Sequence, residues 1–434
     1  MNRYLRLWEI PGAPLLLVGG TVARIGHGVT IVAWLLLVRA VTGSYAEAGI
    51  VAGAISLATA FAAPVAGRLV DRFAVRTVLP ILALLYSGSQ ILLLITVLAD
   101  LSTTVLLVAA VFTGLFFPPM SPAIRSGWTH LTRDGTGYEG CRTTAMAAES
   151  TVFELVFVVG PLLVSGFVLA ATSLRAVDPS LSGTASAIVL ATATTAIGTV
   201  VVARGRALAG LTGNGSGQRT VGVGPLRVRG FPMMLIVTAA VAFSFGASPV
   251  AIAAFADIYA VGNPAAATGL LIAVWSIGSA FGGLTYGALP LSVGVDVRVP
   301  AGRATVVLAG LAVGYALWTV VDGTTSFGVV LLLTGAVIAP ATAMLAEMVA
   351  AAVPASMLTE AYTWFTCVNM SVAALGAAVT GRVVETAGGV RSSFLMCAAA
   401  AAVGCAGALL LWTAFAPGGA RGRSDRRSPM TEVR

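Results

Sequence analysis

Four side chains in an otherwise apolar sequence have the chemistry to handle protons: Arg24, His27, Glu149 and Glu154. Ionisable groups inside hydrocarbon are costly, so they pair with one another or line a water-filled cavity. Arg24 and His27 stand three residues apart, on one face of a helix. With apolar runs beginning near residues 15 and 144, Arg24 lies nine residues in and Glu154 ten. At 1.5 Å per residue both are roughly 15 Å deep. Equal depth predicts an Arg24–Glu154 pair that protonation of the carboxylate would release, which is the chemistry proton coupling needs. Glu149 is the next candidate for that role. By position it lies near a cytoplasmic end, where a solvated boundary residue is the plain reading, as it is for Asp257 near the outer end of the seventh span. Glu347 and Glu360 lie on the same side as the Arg-rich loop at 67–76. Seven aromatic side chains could line a cavity for an amphipathic solute: Phe61, Phe112, Phe116, Phe153, Trp275, Tyr315 and Trp364. Cys141, Cys367, Cys397 and Cys405 show no paired spacing, and with two histidines no His-Cys cluster forms. We therefore expect no metal, no cofactor and no disulfide.

The elements that must position these groups follow from composition. Of 434 residues, 58% are hydrophobic and 10% charged, with a mean hydropathy of +0.95. A soluble domain carries about 25% charged residues, so a soluble enzyme and a disordered chain are excluded. Twelve apolar stretches recur, near 15–38, 47–66, 77–98, 104–124, 144–168, 184–203, 231–256, 265–289, 304–321, 327–350, 361–383 and 392–415. Each is long enough to cross a hydrocarbon core about 30 Å thick. None alternates with period two, so the spanning structure is helical rather than a barrel. The expectation is an all-α membrane protein with twelve transmembrane helices.

Charge sets the orientation. Every one of the 25 basic residues is Arg, and the net charge is +8. With the N-terminus in the cytoplasm, twenty Arg fall on inside segments and four outside (Arg39, Arg175, Arg382 and Arg391), with Arg24 inside the membrane. That asymmetry predicts both termini cytoplasmic, in a cell membrane. The first span is too long for a signal-peptide core and is expected to remain. No basic stretch interleaves with aromatics, so nucleic acid is not an expected partner.

Residues 204–230 are rich in Gly and Arg and read as a cytoplasmic linker between six-span halves, 1–203 and 231–415. Residues 416–434 form a basic tail. The halves look like copies. At an offset of 220, residues 46–69 fall on 266–289 with seven identities, including Gly49 on Gly269 and Ala60-Phe61 on Ala280-Phe281. At 221, Thr113-Gly114 meets Thr334-Gly335 and Pro119 meets Pro340. A parallel six-span repeat suits a pair of halves that rock about a site near the bilayer midplane.

The loop after the second span reads Gly67-Arg68-Leu69-Val70-Asp71-Arg72-Phe73-Ala74-Val75-Arg76. It resembles the signature loop of the major facilitator superfamily, with Ala74 where the family usually has Gly. The second-half copy near Gly283–Gly287 lacks the Asp and Arg. The resemblance covers nearly the whole chain. It implies the major facilitator fold, and a gating role for Gly67, Arg68, Asp71, Arg72 and Arg76. Asp71 would then meet the start of the eleventh span, around Leu358 to Tyr362. Gly160-Pro161 in the fifth span is similar to part of an element of the superfamily's drug–proton antiporters, which implies export.

The expected function is a secondary transporter of a small organic solute, monomeric and proton-coupled, working as an exporter. An importer of the same fold is the alternative within the class. A membrane enzyme acting on a lipid-linked substrate is the alternative outside it, and the scattered acidic residues and short loops argue against that chemistry. Without Lys no ATP-binding loop of the Gly-x-x-x-x-Gly-Lys type is possible.

Overall fold

The structure is a computed structural model that describes residues 2–133, 135–209, 224–288, 297–354 and 357–415. The expected linker residues 210–223, the tail 416–434 and the side chain of Asp71 lie outside the described residues. Among those described, twelve helical segments are long and apolar enough to cross a membrane.

The first half contains α1 (Asn2–Glu9), α2 (Ala13–Thr42), α3 (Tyr45–Arg72), α4 (Val75–Leu98), α5 (Thr103–Leu115), α6 (Met120–Leu131), α7 (Arg142–Ser173), α8 (Pro179–Arg204) and the short α9 (Arg206–Ala209). The second contains α10 (Phe231–Tyr259), α11 (Pro264–Ala288), α12 (Arg298–Leu317), α13 (Thr324–Gly335), α14 (Ile338–Ala352), α15 (Leu358–Val384) and α16 (Gly389–Ala414). Six spans in each half bring residues 2 and 415 to one face, here the terminal face; the other is the opposite face.

The fourth and tenth spans are each two helices, and each runs longer than its apolar stretch. Pro118-Pro119 removes two backbone donors, which ends α5 and lets α6 begin on Pro119 as its cap. In the second half the break falls between Gly335 and Ile338, with Pro340 in the first turn of α14, where its missing N–H leaves no bond unmade. Gly114 beside the first break packs against the backbone of α3 at Ile55 and Thr59. Gly335, its copy at offset 221, packs against Trp275 of α11. The repeat therefore extends from sequence to packing.

Three boundaries differ from the sequence reading. α7 begins at Arg142 and α12 at Arg298, so Arg142 and Arg298 sit on the first turns of spans and Arg303 on the second turn of α12, rather than in loops. α9 extends the first half beyond residue 203: Leu208 is fully buried beside Gly127. Helix α1 was not foreseen. Leu7 and Ile10 at its inner side are buried, while Leu5 and Trp8 face outward.

Candidate functional site

Where the halves touch defines where they do not. On the opposite face, Arg39 at the end of α2 pairs with Asp257 of α10 at 3.3 Å. Glu385, just after α15, accepts hydrogen bonds from Ser44 Oγ (2.8 Å) and the Ala46 amide (3.0 Å) at the start of α3. Asn263 Nδ2 ahead of α11 donates to Ser180 Oγ of α8 at 3.1 Å. Slightly deeper, Ser165 Oγ of α7 donates to the Ala266 carbonyl at 2.8 Å. There Gly49 and Gly53 of α3 lie against the α15 backbone at Ala377 and Ala374, and Gly269 of α11 lies against Pro161 of α7. Any side chain at those glycines would collide with backbone, so the close approach requires them.

The buried core repeats this asymmetry. First-half members of the core shared by both halves come from residues 29–51, 93–97, 106–110, 164–168 and 187–191, the opposite-face parts of their spans. The first half's other main core, built from residues such as Leu16, Leu79, Ile124, Trp128 and Val202, lies at the terminal face and contains no second-half residue. Gly67 was expected to admit a neighbouring helix. Among the described residues nothing lies within 4 Å of a Cβ built there, so no described helix docks on it. Arg68, Arg72 and Arg76 are exposed around it. Among the described residues, the contacts named between the halves lie on the opposite face, while Gly67 at the terminal face is open.

Inside the first half, Arg24 and Glu149 form the deep ion pair. Arg24 Nη1 and Nη2 donate to the two carboxylate oxygens of Glu149 at 2.6 and 3.1 Å, and Arg24 Nε donates to the Gly20 carbonyl at 3.0 Å. Both side chains are nearly inaccessible, at 4% and 2% exposure. The expected Arg24–Glu154 pair is not formed, and Glu149 is not the solvated boundary residue its position suggested. An arginine in a helix leans toward the helix N-terminus, so Arg24 reaches a carboxylate nearer the terminal face than its own backbone.

Helix α7 has three faces, which explains the different fates of its two acids. Glu149, Phe153, Val156 and Gly160 recur at helical spacing and meet α2, with Val156 and Gly160 against Gly28. Leu155, Val159 and Leu162 are exposed on the outer face. Positions 154, 158, 161 and 165 make the third face, whose far end carries the Pro161 and Ser165 contacts to α11. Glu154 is half-buried on this face, between the halves, and seven residues or about 10 Å nearer the terminal face than Pro161.

His27 lies between the rings of Phe117 and Phe157, at centroid distances of 5.0 and 5.7 Å. Of the aromatic candidates, Phe153 is next to Arg24 (5.9 Å) and Trp275 stands edge-on to Phe245 at 6.4 Å. Phe112 and Phe116 stack on each other at 5.9 Å, and Phe61 is 70% exposed. Trp364 is half-buried at the start of α15. Tyr315 is the exception: it is fully buried, bonded to Ser248 and packed on Trp318, so it belongs to the second-half core and not to a cavity. The sequence reading also missed Asp257 as a partner, since nothing local pairs it with Arg39, and Tyr286, whose hydroxyl lies 3.1 Å from both oxygens of Glu347.

Residues 16–207 match the family model of the Major Facilitator Superfamily. No curated protein sequence matches the chain. Among solved structures, a variant of the nucleoside transporter NupG superposes with a TM-score of 0.74 at 13% identity, covering 92% of this chain and 99% of that one. A bacterial homologue of the human lysosomal transporter Spinster, in an inward-facing and unoccupied conformation, gives 0.67 at 14% identity, covering 95% and 97%. A proton-dependent oligopeptide transporter gives 0.66 at 13% identity, covering 92% and 98%. Residues 16–207 thus match the Major Facilitator Superfamily, and the twelve spans in two like halves share the fold of these transporters over nearly the whole chain.

Proposed function

We propose that the protein is a secondary transporter that moves a small organic solute across the cell membrane by alternating access, exporting it in exchange for protons. The one-sided closure carries this reading: among the described residues, the halves join through the Arg39–Asp257 pair, the Glu385 contacts and the glycine-lined helix pairs on one face. An enzyme has no need of two like halves hinged in this way, whereas a carrier must open each face in turn. The Arg distribution supports a cytoplasmic terminal face, and the inward-facing Spinster homologue supports the same assignment of the open side. Glu154 is the candidate proton carrier, being half-buried, between the halves and committed to no partner among the described residues. Arg24 and Glu149 serve as a structural pair.

Vesicles containing the purified protein test this. A pH gradient should drive labelled organic solutes across, a protonophore should collapse the movement, and Glu154→Gln should abolish the gradient-driven part. The sign of the gradient that concentrates solute separates export from import. Gradient-driven movement that survives Glu154→Gln would overturn the assignment of the carrier.

A further inference from the structure

Helix α1 leaves apolar surface on the outer flank of the first half. Its Leu7 is buried, but Leu5 and Trp8 are exposed at 62% and 53%. Beside Trp8 is a groove of about 270 Å³ between α1, α2 and α7. Leu7 and Trp8 line it from α1, Leu17 and Val18 from α2, and Ala148 and Val152 from α7. Thr21 is the only polar side chain of the lining, and its hydroxyl donates to the Leu17 carbonyl at 2.6 Å. The lining therefore offers no free group to hold water, and hydrocarbon suits it. Ala148 and Val152 continue at helical spacing into Leu155 and Val159, which are exposed on the outer face of α7. The track from Ala148 to Val159 is about 16 Å long, close to half of a hydrocarbon core about 30 Å thick.

We propose that this groove holds one acyl chain of an anionic phospholipid from the terminal-face leaflet, with the headgroup held by Arg6 and Arg142. Arg6 precedes Leu7 on α1, and Arg142 opens α7, about 9 Å nearer the terminal face than Ala148. Both are exposed, and neither forms an ion pair among the described residues. Glu9, the acid of α1, is exposed two residues from Leu7 and so points away from the packed side. Basic side chains at a membrane surface attract an anionic headgroup, and an interfacial Trp sets its apolar body in the acyl layer. A lipid seated there ties α1 to α7, the helix that carries Glu149 and Glu154. The groove opens on the outer face and not between the halves, so the site is separate from the solute path and stands whatever the solute is.

Brominated lipids quench tryptophan on contact and test this with full-length protein in phosphatidylcholine nanodiscs. The Trp8 part of the emission is the wild-type signal minus that of Trp8→Phe. Brominated phosphatidylglycerol should half-quench this part at a lipid fraction several-fold lower than brominated phosphatidylcholine requires. Arg6→Gln should raise the phosphatidylglycerol fraction needed by about fivefold, and Arg142→Gln by a similar factor. Ala148→Leu narrows the groove without changing charge and should also weaken the preference. Equal half-quenching by the two lipids in the wild type would overturn the proposal, leaving ordinary bilayer contact alone. A preference undiminished in the folded double variant Arg6→Gln with Arg142→Gln, or in folded Ala148→Leu, would overturn it as well. None of these results touches the transport reading, which gradient-driven movement tests separately.

Discussion

Two carboxylates five residues apart on α7 have opposite jobs, and substitution should separate them. Glu149 is closed off from solvent and held by Arg24. Removing one partner of such a pair strands a buried charge, at about 3–5 kcal/mol. Arg24→Ala is therefore expected to lower the melting temperature sharply, and Glu149→Gln to do the same. Glu154→Gln has no partner to strand and should melt close to wild type. Thermal unfolding of the purified protein followed by tryptophan fluorescence checks all three. The sequence made both acids and Arg24 visible, because charges in apolar runs are conspicuous. It did not reveal the pairing, because residue spacing gives the depth of the backbone while the arginine side chain leans back by about a turn. The azimuth was readable: 149, 153, 156 and 160 share a face that 154 does not.

At the scale of elements, the contact between Glu385 and the first turn of α3 is a helix cap supplied by the other half. Partial burial opposes ionisation of Glu385, but the Ala46 and Tyr45 amides, the Ser44 hydroxyl and the nearby Arg39 outweigh it and hold the carboxyl below its ordinary range. The sign follows. A carboxyl with a lowered pKa in the closed form adds stability that is present at neutral pH and lost as pH falls through that lowered value. A carboxylate at a helix N-terminus contributes about 0.3–1 kcal/mol. Glu385→Gln should therefore raise the labelling rate of a cysteine placed at Ala378, attacked from the opposite face at neutral pH, by roughly two- to fivefold. The acid-dependent part of the rate should shrink with it. At this scale the two broken spans were not expected from the sequence, where Pro119 and Pro340 served only as a matched pair of the repeat, although a missing N–H is a local property of sequence. Helix α1 is too short for a span, and among its described side chains the buried side is Leu7, with Ile10 beyond.

At the scale of the molecule, the repeat at offsets 220 and 221 made two equal halves legible, and the copied glycines Gly114 and Gly335 show that it also governs packing. Which face is closed was not legible. Gly49, Gly53 and Gly269 permit closure of the opposite face, and Gly67 permits approach at the other; the choice between them is a balance of contacts spread over many residues. The central claim is that these two arrangements exchange. Distance measurements between paired spin labels, in a variant lacking the four native cysteines, test it most directly. One pair, Thr42 with Ala260, spans the opposite face, and the other, Phe73 with Gly287, spans the terminal face. As pH is lowered or a transported solute is added, the first distance should lengthen while the second shortens. Two distances that stay fixed under every condition, or that change in the same direction, would contradict alternating access.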